Sequence, residues 1–158
     1  MKYFILYAFT LILMGTACKS TETRPTIPTK PQTIAQFNEE NSERTDQHNW
    51  IDESERNEIW VFVDEFPSVV KGMRDLQQRI SMTVNRNSSV DCATLKDEQV
   101  VYSFVIDENG NISKIKSNLE ESNDCSDLIE ITISSTEFTA GKVDGKPVST
   151  LFALPVNF

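Results

Sequence analysis

Apolar residues recur along this chain with two different periods, and the changes of period mark its elements. Val100, Tyr102, Phe104 and Ile106 alternate with Val101, Ser103 and Val105, the period of two that gives a strand one strongly apolar face. Asp107-Glu108-Asn109-Gly110 follows and reads as a tight turn, because Asn-Gly accepts the positive φ that a hairpin requires. The return strand is expected from about Asn111 to Leu119, with Lys114 and Lys116 toward water. A second turn, Asp144-Gly145-Lys146-Pro147, launches a last strand in which Val148, Thr150, Phe152, Leu154 and Val156 share a face. Upstream, Ile59 to Val63 is a β-branched and aromatic run ended by Asp64-Glu65-Phe66-Pro67. After Pro67 the period lengthens. Val69, Met73, Leu76 and Ile80 form one stripe of an amphipathic helix, with Arg74, Asp75, Gln77, Gln78 and Arg79 opposite.

One segment carries both signals. In Asp127 to Ser135, Ile129, Ile131 and Ile133 alternate as a strand does, and β-branched content favours that reading. Leu128 and Ile131 fit helical spacing, and Ser126 or Asp127 suits an N-cap, with Glu130 completing a capping box from Asp127. Local propensity leaves the segment open between strand and helix.

The first eighteen residues have the layout of a secretion signal: Lys2, an apolar run from Tyr3 to Met14, then small Gly15, Thr16 and Ala17. Gly15-Thr16-Ala17-Cys18 resembles the bacterial lipobox, which implies lipidation of Cys18 and a removed signal peptide over residues 1–17. Ordinary cleavage after Ala17 and an uncleaved anchor are the alternatives; the apolar run falls short of the ~20 residues that span a bilayer. From Lys19 to about Asn57 the chain is polar and aperiodic, with Pro25, Pro28 and Pro31 evenly spaced. So few apolar residues predict a flexible tether over 18–57, in which Trp50 and Ile51 are too few to make an element. The folded domain is expected over 58–158.

Composition narrows the function classes. A chain of 158 residues has room for one modest domain and a tail. Its net charge of −9 and lack of a basic stripe exclude nucleic acid as a natural partner. With Cys18 assigned to lipid, Cys92 and Cys125 remain as an even pair, which in an oxidising periplasm is most simply a disulfide, two buried free thiols being the alternative. No catalytic constellation emerges: His48 is the only histidine and falls in the expected tether, where it reads as a solvated surface residue. Asp107 to Asn111 lacks the spacing of a calcium loop, and no metal or cofactor is expected.

The order of these signals resembles the C-terminal domain of TonB. The family's acidic, proline-containing lead-in matches Val61-Phe62-Val63-Asp64-Glu65-Phe66-Pro67, and its glycine-before-leucine helix matches Gly72, Leu76 and Ile80. Its V-x-F-x-V-D strand and D-x-x-G turn match Val101 to Ile112. Phe138, Gly141, Gly145, Lys146, Pro147 and Val148 match its last turn, and Leu154-Pro155-Val156-Asn157-Phe158 its closing strand. The chain departs from the pattern at Lys71, where a second glycine is usual, and at Ala140, where a proline is. The resemblance implies an α+β fold, a small antiparallel sheet with two helices on one face, and it makes Asp127 to Ser135 a helix. It also implies a peptide-binding edge on the last strand at Val148, Ser149, Thr150, Leu151, Phe152, Ala153 and Leu154. The expected function is therefore that of a non-enzymatic, periplasm-facing lipoprotein that binds segments of envelope proteins such as TonB-dependent receptors. A structural component that uses the domain for envelope attachment or self-association, such as a homodimer, is one alternative. An energy transducer that keeps residues 1–17 as an anchor is the other.

Overall fold

A computed structural model describes residues 30–41, 48–87, 92, 95 and 99–157. The alternating run near the middle of the chain is the spine of the fold. It forms β4 (Val100–Ile106), hydrogen-bonded to β5 (Ile112–Ser117) on one side and to β9 (Thr150–Val156) on the other, both antiparallel. Asp107 closes the β4–β5 turn with its own carboxylate, accepting from the amides of Asn109 and Asn111 at 2.8 Å each. Gly110 has φ 86°, and a Cβ there would run into the carbonyl oxygen of Phe138.

Two helices cover one face of this sheet, as expected. α2 (Met73–Arg86) buries Leu76 and Ile80, and Val69 of the expected stripe instead lies in β3 (Ser68–Val69), which pairs with β6 (Phe138–Thr139). The ambiguous segment is helix α3 (Asp124–Ser134), burying Cys125, Ile129 and Ile133 at a spacing of four. Its start lies a few residues upstream of the expected cap: Asn123 accepts from the Ser126 amide at 2.9 Å, and Ser126 returns the bond to the Asn123 amide at 3.0 Å. Phe104, Phe138 and Phe152 meet in the core, with ring centroids 5.5–5.7 Å apart.

Cys92 and Cys125 are joined by a disulfide whose Cα atoms lie 5.5 Å apart, tying the chain beyond α2 to the first turn of α3. Replacing both by serine removes a cross-link with a sequence separation of 33. We expect a stability loss of ~3–4 kcal/mol by chain entropy, read as a lower denaturant midpoint. A midpoint equal to that of the parent would show that the cross-link contributes nothing.

The opposite face departs from expectation. The tether predicted as far as residue 57 carries β1 (Gln32–Thr33), α1 (Ile34–Glu40) and a short 3-10 turn (Glu53–Glu55). Ile34, Ile51 and Ile59 are buried with Val105 in a second apolar cluster, joined by Trp50, Val61 and Leu151. The folded unit therefore begins well upstream of residue 58, and α1 is a third helix. β1 pairs antiparallel with β2 (Trp60–Phe62), and β2 runs parallel to β9, so the five-stranded sheet β1-β2-β9-β4-β5 is mixed rather than antiparallel. Lys114 fastens this layer to β5: at φ 52°, where the β4–β5 register shifts, its ammonium lies 2.7 Å from Glu55 and 3.7 Å from Asp52. The ion pairs raise its pKa, chiefly through the Glu55 hydrogen bond. Asp144 (φ 51°) and Gly145 (φ 73°) turn β7 (Gly141–Val143) into β8 (Lys146–Val148), after which β9 begins.

Candidate functional site

The direction of each backbone group on β9 follows from β4. Val101 turns its backbone toward β5: its amide donates to Asn118 Oδ1 at 2.8 Å and its carbonyl accepts from the Asn118 amide at 3.1 Å. Val100, Tyr102, Phe104 and Ile106 therefore face β9, where they pair with Val156, Leu154, Phe152 and Thr150. By the same alternation, Ser149, Leu151, Ala153, Pro155 and Asn157 turn their backbone away from β4. The Trp60 amide confirms this at Ser149, donating to its carbonyl at 2.9 Å.

This geometry divides the expected docking edge. Val148 belongs to β8, where it pairs with Gly141. Ser149, Thr150 and Leu151 lie beside β2, whose register with β9 is the single pair Trp60↔Thr150. Thr150 is fully buried, and Leu151 packs into the second cluster. Phe152 and Leu154 point to the helix face, Phe152 into the aromatic trio and Leu154 into the core. Ala153 alone of the predicted residues is exposed, and no described strand pairs with β9 from Ala153 onward on the side away from β4. Among the described residues the open stretch thus runs from Ala153 to Asn157, several residues beyond the predicted one. Pro155 falls in the outward register, where its missing N–H breaks no bond to β4.

The other edges are guarded. β5 carries Lys114 and Lys116 and its bulge, devices that deter strand addition. β1 is two residues long. Next to the open end of β9 lies a groove of about 380 Å³ between that strand and α2. Ile80, Val84, Leu154 and Val156 line it, with Gln77 and Asn85 at its rim. The sequence could suggest the closing strand but not this groove, which depends on how α2 crosses it.

Among the described residues, three ionisable side chains other than the ion-paired and turn groups stand out. His48 is buried rather than solvated, with Nδ1 3.1 Å from Asn38 Oδ1 and its ring 5.9 Å from Phe37. Burial and then the charge of Arg56 lower its pKa. It stands in the N-terminal layer, packed against Phe37. The Tyr102 hydroxyl is buried without a hydrogen-bond partner, and burial, with Glu130 and Asp127 nearby, drives its pKa far up. Glu130 is raised by burial and by Asp127.

Residues 1–17 and Cys18 lie outside the described residues, and among the described residues no helix is long and apolar enough to cross a membrane. Comparison with family models, with curated proteins and with solved structures returns no match to this chain.

Proposed function

We propose that this chain is a non-enzymatic binding module of the cell envelope, similar to the TonB C-terminal domain and held to a membrane by a lipid on Cys18. It takes an extended segment of a partner protein as an added strand along Ala153 to Asn157. The observation that carries this reading is an open strand end beside an apolar groove, on a sheet whose other edges are guarded. An added strand gains affinity from the Ala153 and Asn157 amides and from the Ala153 and Pro155 carbonyls. Its alternate side chains fall on the α2 face, where the groove accepts an apolar one. The ordered motifs from Val61 to Phe158 support the TonB-like assignment, and envelope proteins such as TonB-dependent receptors are the partners it points to.

A photo-crosslinking residue at Asn157 tests this in cells, with one at Lys116 on β5 as control. The expected result is a discrete protein adduct from Asn157 and none from Lys116. Adding Ala153→Pro deletes an outward amide in the register where Pro155 is already tolerated, so the fold is retained. The adduct should fall about tenfold, the equivalent of ~1.4 kcal/mol. An adduct of unchanged yield in a folded Ala153→Pro protein would place binding elsewhere.

A further inference from the structure

The outer surface of the α2–α3 pair has an inverted pattern. Thr132 of α3 is buried against α2, its hydroxyl reaching Thr83 Oγ1 at 3.4 Å and the Leu128 carbonyl at 2.9 Å. The neighbouring Ile131 is 64% exposed, and Met82 of α2 is 41% exposed. These two and the half-buried Leu128 line a trough of about 390 Å³ between the helices. Among the described residues its charged lining residues are Arg79 and Arg86, with no acidic one, in a chain whose net charge is −9. The guanidinium of Arg79 is held in place by Ser135 Oγ at 2.9 Å, Thr136 Oγ1 at 3.2 Å and the Thr132 carbonyl at 3.4 Å. Arg86, in the last turn of α2, has no ion-pair partner among the described residues.

We infer that this trough docks an acidic amphipathic helix of a partner protein. The spacing fits such an occupant: Arg79, Met82 and Arg86 lie three and four residues apart on α2, and Leu128 and Ile131 three apart on α3. A third helix laid along the trough covers Met82, Leu128 and Ile131 with its apolar stripe. Carboxylates flanking that stripe meet the two arginines. An anionic membrane is disfavoured because the molecule as a whole is acidic and is repelled by a surface of like charge. A partner helix presents its few carboxylates only where the arginines stand. The trough and the β9 groove lie on different sides of α2, so this inference does not depend on the proposed function.

The test uses the full mature chain with labelled methionine, isoleucine, leucine and valine methyl groups and two probe peptides of about 18 residues, long enough to be helical. Both carry leucine at helical spacing; the polar positions are glutamate in one and lysine in the other. The glutamate peptide should shift the Met82 and Ile131 methyls saturably and leave those of Leu154 and Val156 unmoved. Arg86→Glu, an exposed change that spares the core, should weaken binding about tenfold or more, and Ile131→Ser likewise. Several outcomes overturn the inference: no shift with the glutamate peptide, or equal shifts with both peptides. So do methyl shifts that track protein concentration without peptide, which would mean a second copy fills the trough. Shifts caused by phosphatidylglycerol vesicles but not by the peptide would assign the surface to a membrane instead.

Discussion

Replacing Phe104 by alanine should lower stability by about 3–5 kcal/mol, a large share of the usual 5–15 kcal/mol in reserve and enough to unfold a domain at the low end of that range. Phe104 is fully buried in the middle of the central strand, and its ring meets Phe138 at 5.6 Å and Phe152 at 5.5 Å. Its removal takes a ring out of water-free packing and leaves a cavity that those two rings can fill only in part. Phe138 is fixed by its pairing with Val69 and by the close approach of Gly110, so it has little freedom to follow. Phe104→Leu keeps most of the volume and should cost less than half as much. Chemical denaturation of the two variants checks the order. Equal midpoints for alanine and parent would show that the aromatic trio does not hold the sheet to its helices.

The parts of this fold that rest on a local period were legible in the sequence. β4, its Asn-Gly turn and β9 each announce themselves through alternation and turn chemistry that act over a few residues. Asp127 to Ser135 was different, because Ile129, Ile131 and Ile133 alternate as in a strand while Leu128 with Ile131, and Ile129 with Ile133, fit helical spacing. The outcome was settled by the Asn123 cap and by a sheet face that needed cover, neither of which the segment itself contains. The N-terminal layer was invisible for a related reason. Ile34 and Ile51 are spaced too widely for either period and are set among polar residues, so composition reads as tether. Their burial becomes necessary only once β4 and β9 present Val105 and Leu151 on the back of the sheet.

The candidate site was legible to the same degree. The closing strand could be found from its alternation, and the open edge could be expected on it. The neighbour of its first half could not, because β2 comes from ninety residues upstream in a parallel pairing that leaves no local mark. A single cross-strand pair thus moves the available edge from Val148–Leu154 to Ala153–Asn157. His48 shows the same limit on a smaller scale. Its polar neighbours in sequence suggest water, whereas its neighbours in space are Phe37, Asn38 and Arg56.

Ile51→Asp is expected to detach the N-terminal layer while the helix face of the domain stays folded. Ile51 is fully buried in a cluster of four buried residues, separate from the larger cluster between sheet and helices. A carboxylate there loses the isoleucine's packing and has no partner to offset its desolvation, which together cost more than such a small cluster supplies. The bonds that would open are specific: the Ile34 amide to the Ile59 carbonyl at 2.8 Å, Ala35 to Arg56 at 3.0 Å, and Trp60 to Ser149 at 2.9 Å. Hydrogen exchange at those three amides should accelerate by about a hundredfold or more, equivalent to ~3 kcal/mol of local stability. Amides of Tyr102, Phe104 and Ile106, bonded to β9, should keep their protection. With Trp60 gone from its side, the free edge of β9 should lengthen toward Ser149, and the Asn157 adduct should persist. Exchange that rises equally on both faces would mean that the layer and the helix face unfold as one unit. Residues 30–62 would then be part of the domain's single core rather than a layer laid over its back.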